Sequence, residues 1–63
     1  MKIGERIREY RHSRAMSQDA LAKRIGVTRA VVTAWESGRA CPRSDKIKPL
    51  AEALRCRVQD LVC

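Results

Sequence analysis

Gln18-Asp19-Ala20-Leu21-Ala22-Lys23-Arg24-Ile25-Gly26-Val27-Thr28-Arg29-Ala30-Val31-Val32-Thr33-Ala34-Trp35-Glu36-Ser37 decides the fold of this chain. Two short helical patterns meet inside it at Ile25-Gly26-Val27-Thr28. For two helices to cross closely about a tight turn, the first needs a small residue at the crossing, and Ala22 supplies it. The turn needs Gly, which takes the left-handed conformation without steric cost, and Gly26 supplies it. Apolar residues flank that turn (Ile25, Val27), and Leu21, Val32 and Trp35 give both helices inward positions. Each feature is common alone; together in one window they specify a helix-turn-helix over about 18–37 rather than an ordinary helical hairpin.

The boundaries of the two helices are also written in the chain. Ser17 reads as an N-cap whose hydroxyl accepts a backbone N–H, and Asp19 suits the positive end of the helix dipole. Thr28 can cap the next helix, which carries Val31, Val32 and Trp35 inward and ends before Gly38. Trp35, three residues after Val32, reads as core and not as a base-stacking platform.

Helical spacing continues on either side. Ile3, Ile7, Tyr10 and Arg14 lie four, three and four apart, which predicts an amphipathic helix from Ile3 to Arg14. Ile47, Leu50, Ala51, Ala53 and Leu54 form the stripe of a fourth helix. Pro49 lacks an N–H and is comfortable only in a first turn, so this helix is expected to start late, at Ser44 or Asp45, or with an irregular turn. Val58, Leu61 and Val62 suit a last short helical turn. No strand-like alternation, repeat or linker interrupts the pattern. The expectation is an all-α, compact five-helix bundle forming one domain over residues 1–63.

Fourteen Lys and Arg against seven Asp and Glu give a net charge of +7. Ten of the fourteen are Arg, whose planar fork suits phosphates and base edges. So large a basic excess on so small a surface favours a polyanion, and charge alone leaves membrane surface, RNA and DNA open. No apolar stretch approaches the roughly 20 residues of a membrane span. The amino terminus has no apolar signal-like region, so the expected setting is cytoplasmic. Cys41, Cys56 and Cys63 are an odd set with no close pair. They read as neutral or buried thiols, neither a disulfide framework nor, with His12, a metal site. His12 reads as a surface residue. No nucleophile–base set, metal cluster or phosphate-cradling loop points to an enzyme or to a cofactor.

The window resembles the helix-turn-helix of the Cro and phage-repressor family of transcriptional regulators. Ile7, Arg11, Met16-Ser17-Gln18, Leu21-Ala22, Gly26-Val27-Thr28, Trp35-Glu36-Ser37-Gly38, Pro42, Leu50-Ala51 and Ala53-Leu54 all fall on that family's pattern, essentially the whole chain. The resemblance implies a lambda-repressor-like fold that sets its third helix in the major groove of duplex DNA. By position, Gln18, Arg29, Ala30, Thr33 and Ala34 are then the base-reading residues. Arg29 suits a guanine, with a phosphate clamp as the alternative; Ala30 suits a thymine methyl, and Thr33 a methyl or a phosphate. Ala34 is too short to reach far, which leaves DNA shape a share of the recognition. Ser17, Thr28, Ser37, Arg39 and Arg43 fall where relatives grip phosphates. Arg11 and Glu36 match a partly buried structural ion pair.

The resemblance also implies a homodimer on a near-palindromic operator; Arg55 and Arg57 would repel across a two-fold axis unless paired, so the dimer is expected to be weak without DNA, and neither a metal nor a membrane partner is expected. The dimer surface maps to Arg55, Cys56, Arg57, Val58 and Leu61, residues that could instead merely close the core. The expected role is transcriptional regulation, repression before activation. The alternative is a protein-interaction module on the same fold, such as an antitoxin.

Overall fold

A computed structural model describes residues 3–61. It contains α1 (Ile3–Ser13), α2 (Gln18–Ile25), α3 (Arg29–Ser37), α4 (Ser44–Leu54) and a 3-10 turn at Val58–Asp60. Among the described residues the architecture is therefore four α-helices and one 3-10 turn, which corrects the expected five-helix bundle. The last element is only three residues long: its Asp60 carboxylate accepts from the Arg57 N–H, and Leu61 N–H returns to Val58. Val62 and Cys63 lie outside the described residues.

The core gathers Ile3, Ile7, Leu21, Ala22, Ile25, Val32, Trp35, Leu50, Ala51, Ala53, Leu54 and Leu61. The stripe read for α1 is right at Ile3 and Ile7 but not at Arg14, which is exposed. Arg11 is buried on that face instead, and the Arg14 Nε donates to the Leu54 carbonyl at 3.3 Å, at the negative end of α4. Helix α1 also carries a contact that its spacing did not announce. A Cβ on Gly4 would lie 2.5 Å from the Trp35 carbonyl oxygen and 2.7 Å from that of Glu36. Only a bare backbone lets α1 come down on the end of α3.

Helix α2 starts as read: the Ala20 N–H donates to Ser17 Oγ at 3.1 Å. It stops at Gly26, with φ of 84°, whose N–H and that of Val27 both donate to the Ala22 carbonyl. Thr28 stands at the N-cap of α3, but its side chain makes no capping hydrogen bond. Helix α4 starts at Ser44 and runs straight through Pro49. The start at Ser44 is one of the two expected, and Pro49 lies beyond the first turn. Its missing N–H leaves the carbonyl of Asp45, four residues back, without a helical partner, and Asp45 is exposed to water.

The cysteines divide. Cys56 is a free thiol, half-buried, and burial, reinforced by the nearby Asp60 charge, raises its pKa and keeps it neutral. Cys41 is disulfide-bonded, which corrects the reading of all three as thiols; it sits exposed in the α3–α4 loop, where it fills no core space. No helix among the described residues is long and apolar enough to cross a membrane.

Candidate nucleic-acid interface

The site is built outward from a buried ion pair. Arg11 and Glu36, 8% and 7% exposed, are the buried charged residues of the described chain. Arg11 Nε donates to Glu36 Oε2 at 2.7 Å and Nη2 to Oε1 at 3.1 Å, a two-point fork. Arg11 Nη1 also donates to the Met16 carbonyl at 2.9 Å, fixing the turn between α1 and α2. Arg8, mostly exposed, brings its Nε within 3.5 Å of Glu36 Oε1. Among the described residues, every buried side-chain nitrogen and oxygen has a partner.

Burial acts most strongly on the Glu36 carboxyl and would raise its pKa. Hydrogen bonds from Arg11 and Gln18, the Arg11 charge and the Arg8 contact together outweigh it, so the pKa lies below its ordinary value. Glu36 is an anion locked among donors, with no spare proton and no open side.

From this pair a chain of hydrogen bonds leads to the surface. Gln18 Nε2 donates to Glu36 Oε1 at 3.2 Å. Gln18 Oε1 in turn accepts from Thr33 Oγ1 at 2.9 Å and, in a long contact, from Arg29 Nε at 3.5 Å. Arg29, Ala30 and Thr33 are exposed and Ala34 is half-buried. These four line one open concavity together with Ser37 and Arg39. A second shallow hollow, lined by Ser17, Gln18, Asp19, Arg29 and Arg11, adjoins it through Arg29. Helix α3 therefore turns Val32 and Trp35 into the core and presents a face of small side chains edged by cations.

The residues matched to phosphate contacts differ in what they can still donate. Ser17 Oγ accepts from Ala20, which leaves its proton available. Thr28 is exposed and its hydroxyl is not used by the helix. Ser37 Oγ donates back to the Ala34 carbonyl at 3.2 Å, so its proton is committed to its own helix. Arg39 is exposed beside the concavity. Arg43 is 89% exposed and stands 4.0 Å from Asp45, a solvated pair that holds it loosely.

The segment matched to a dimer surface does not behave as one unit. Arg55, Arg57 and Val58 are exposed and Cys56 is half-buried. Leu61 is 1% exposed, packed in the chain's own core, and this removes its side chain from the expected dimer surface. Val58, 50% exposed, is the exposed large hydrophobic residue of the described chain.

The sequence reading missed two residues that matter here. Gly4 lets α1 approach α3 so that Arg8 and Arg11 reach Glu36; a glycine inside a helical pattern was the available signal, since it costs stability unless a close approach needs it. Arg8 carries no signal in the sequence that sets it apart from the other exposed arginines, yet it reaches Glu36.

The helix-turn-helix family matches residues 7–61 of this chain. Repressor protein C2 of Salmonella phage P22 is 35% identical over 54 residues, covering 86% of this chain and 25% of the repressor. An HTH-type transcriptional regulator of Methanothermobacter thermautotrophicus is 39% identical over 56 residues, 87% of this chain and 81% of the regulator. The chain thus spans only a quarter of the phage protein but most of the archaeal one. Among solved structures, the P22 c2 repressor in complex with a synthetic operator superposes with a TM-score of 0.95 at 32% identity, covering 98% of this chain and 94% of that one.

Proposed function

The chain belongs to the helix-turn-helix family, in its Cro and phage-repressor type, and on that premise we propose that it is a sequence-specific double-stranded DNA-binding regulator of transcription. The observation that carries this is the shared outward face of α3, where Arg29, Ala30, Thr33 and Ala34 line one concavity with Ser37 and Arg39. A helix of this width enters a major groove, and the small residues at its centre keep bulk away from the base edges.

In this reading Arg29 donates to the O6 and N7 of a guanine. Ala30 and Thr33 meet thymine methyls, while the short Ala34 leaves DNA shape to supply part of the preference. Ser17, Thr28, Arg39 and Arg43 hold phosphates, and each phosphate neutralised by Arg39 or Arg43 adds about 0.9 to the salt slope of log K. Ser37 joins them only by giving up its bond to Ala34. Two copies on a near-palindromic operator, in a cytoplasmic setting, read half-sites about 34 Å apart, meeting through Arg55, Cys56, Arg57 and Val58. The arginines there repel across a two-fold axis, so the dimer is weak until DNA assembles it. The likeness to a phage repressor supports repression before activation.

Selection of bound duplexes from a random pool tests the reading. The expected result is one enriched near-palindromic site, with Arg29→Ala losing preference at a symmetric pair of positions. A folded protein that enriches no sequence contradicts it. A uniform loss for Arg29→Ala across all duplexes makes Arg29 a phosphate clamp.

A further inference from the structure

The hydrogen-bond chain through Gln18 has a direction. The two ends of a glutamine amide are alike in shape, so its orientation follows from its neighbours. On the inner side stands Glu36 Oε1, an acceptor only, 3.2 Å from Gln18 Nε2. On the outer side stand the Thr33 hydroxyl and the Arg29 Nε–H, both donors. Reversing the amide would set a carbonyl against a carboxylate and an N–H against a guanidinium. The buried carboxylate therefore dictates that Gln18 shows its carbonyl oxygen to the α3 face.

We propose that Glu36 is a positioning residue for base recognition: it fixes the Gln18 amide carbonyl-outward, and that carbonyl holds Thr33 and Arg29 in their reading positions. This rests on the DNA-binding reading above and adds to it a residue that touches no DNA. It also narrows what Thr33 recognises. Its hydroxyl proton is committed to Gln18, so Thr33 offers its methyl group and an oxygen that only accepts. A phosphate oxygen cannot bond to that oxygen, whereas a base amino group can donate to it and a thymine methyl can pack against the Thr33 methyl.

The test compares variants on two duplexes. One is the site selected by the wild-type protein; the other carries a change at the base pair that Arg29→Ala makes indifferent. The ratio of the two affinities is measured for the wild type, Gln18→Met, Glu36→Gln and the double variant Arg11→Met with Glu36→Met, each corrected for its folded fraction. Gln18→Met leaves the ion pair intact. The double variant removes both buried charges together, which proteins tolerate far better than removal of one. Loss of a well-made base contact changes such a ratio by about tenfold. That drop is expected in all three variants; in the two Glu36 variants, whose substituted side chains touch no DNA, binding to an unselected duplex is expected unchanged within about twofold, and for Gln18→Met the ratio alone is read. An intact ratio in folded Gln18→Met, or in the folded double variant, overturns the proposal, as does a uniform loss on both duplexes. Failure of the wild type to select any site would instead overturn the DNA-binding reading beneath it.

Discussion

The α2–α3 corner and the segment that follows α4 are both short, and each begins where a helix ends on a left-handed residue. At the corner that residue is Gly26; after α4 it is Arg55, which holds φ of 54° with a Cβ attached. The corner is then fixed from within, by fully buried Leu21 and Val32 and by the polar chain from Arg11 through Glu36 to Gln18. The later segment is fixed by one buried side chain, Leu61, and by exposed local bonds such as Arg57 with Asp60. The chain thus spends its buried contacts where two helices must hold a fixed angle, and leaves adjustable the region matched to a partner copy.

Removing one charge from each region should expose the contrast most strongly. Arg11→Ala leaves Glu36 buried without its main partner and should cost about 3–5 kcal/mol, enough to unfold much of so small a domain. Arg57→Ala, breaking an ion pair whose arginine is 77% exposed, should cost under about 1 kcal/mol. Denaturant titrations of both variants measure the gap, and equal losses would erase the distinction.

A smaller effect is expected from Gly4→Ala. The added methyl meets backbone carbonyls that cannot swing aside, and overpacking of this kind costs about 1–3 kcal/mol. Thermal melting should fall accordingly, and amide shifts should move at Trp35 and Glu36 before any move at Val58.

Acid separates the regions next. The folded pKa of Glu36 lies below its ordinary value of 4.5, so its contribution is fully present above that pH and is lost as pH falls through the lower folded value. Stability measured from pH 7 downward should hold to about 4.5 and then decline, and the double variant Arg11→Met with Glu36→Met should lose that part of the decline. An unchanged slope would assign the acid sensitivity to other carboxylates.

The smallest effect has the opposite sign. Arg55→Gly relieves a left-handed arginine and should leave stability unchanged or raise it by up to about 1 kcal/mol. Ala15→Gly, at φ of 52°, should act likewise. Calorimetry resolves both, and a clear loss would mean that these side chains stabilise more than their backbones strain.

The same contrast governs what could be read in the sequence. The corner was legible because burial repeats at helical spacing and Gly26 has one conformational use there. Arg11 and Glu36, 25 residues apart, carry no periodic signal, and their pairing came from family resemblance alone. The link from Glu36 to Gln18 and the clearance at Gly4 depend on how helices approach in space, which spacing does not encode. Pro49 pointed to the right start for α4, at Ser44, but the rule about missing donors did not show that the helix can carry Pro49 beyond its first turn where the orphaned carbonyl faces water. The turn after α4 was overread as a helix because three apolar residues there fit helical spacing, while only a 3-10 turn forms.

The claim that the α3 face meets DNA is tested most directly by recording backbone amide shifts while the selected duplex is titrated into the folded protein. The account predicts that the changes concentrate at Ser17, Gln18, Thr28 to Ala34 and the loop from Ser37 to Arg43. Changes centred on Arg55 to Val58, with Arg29 to Thr33 undisturbed, would contradict it.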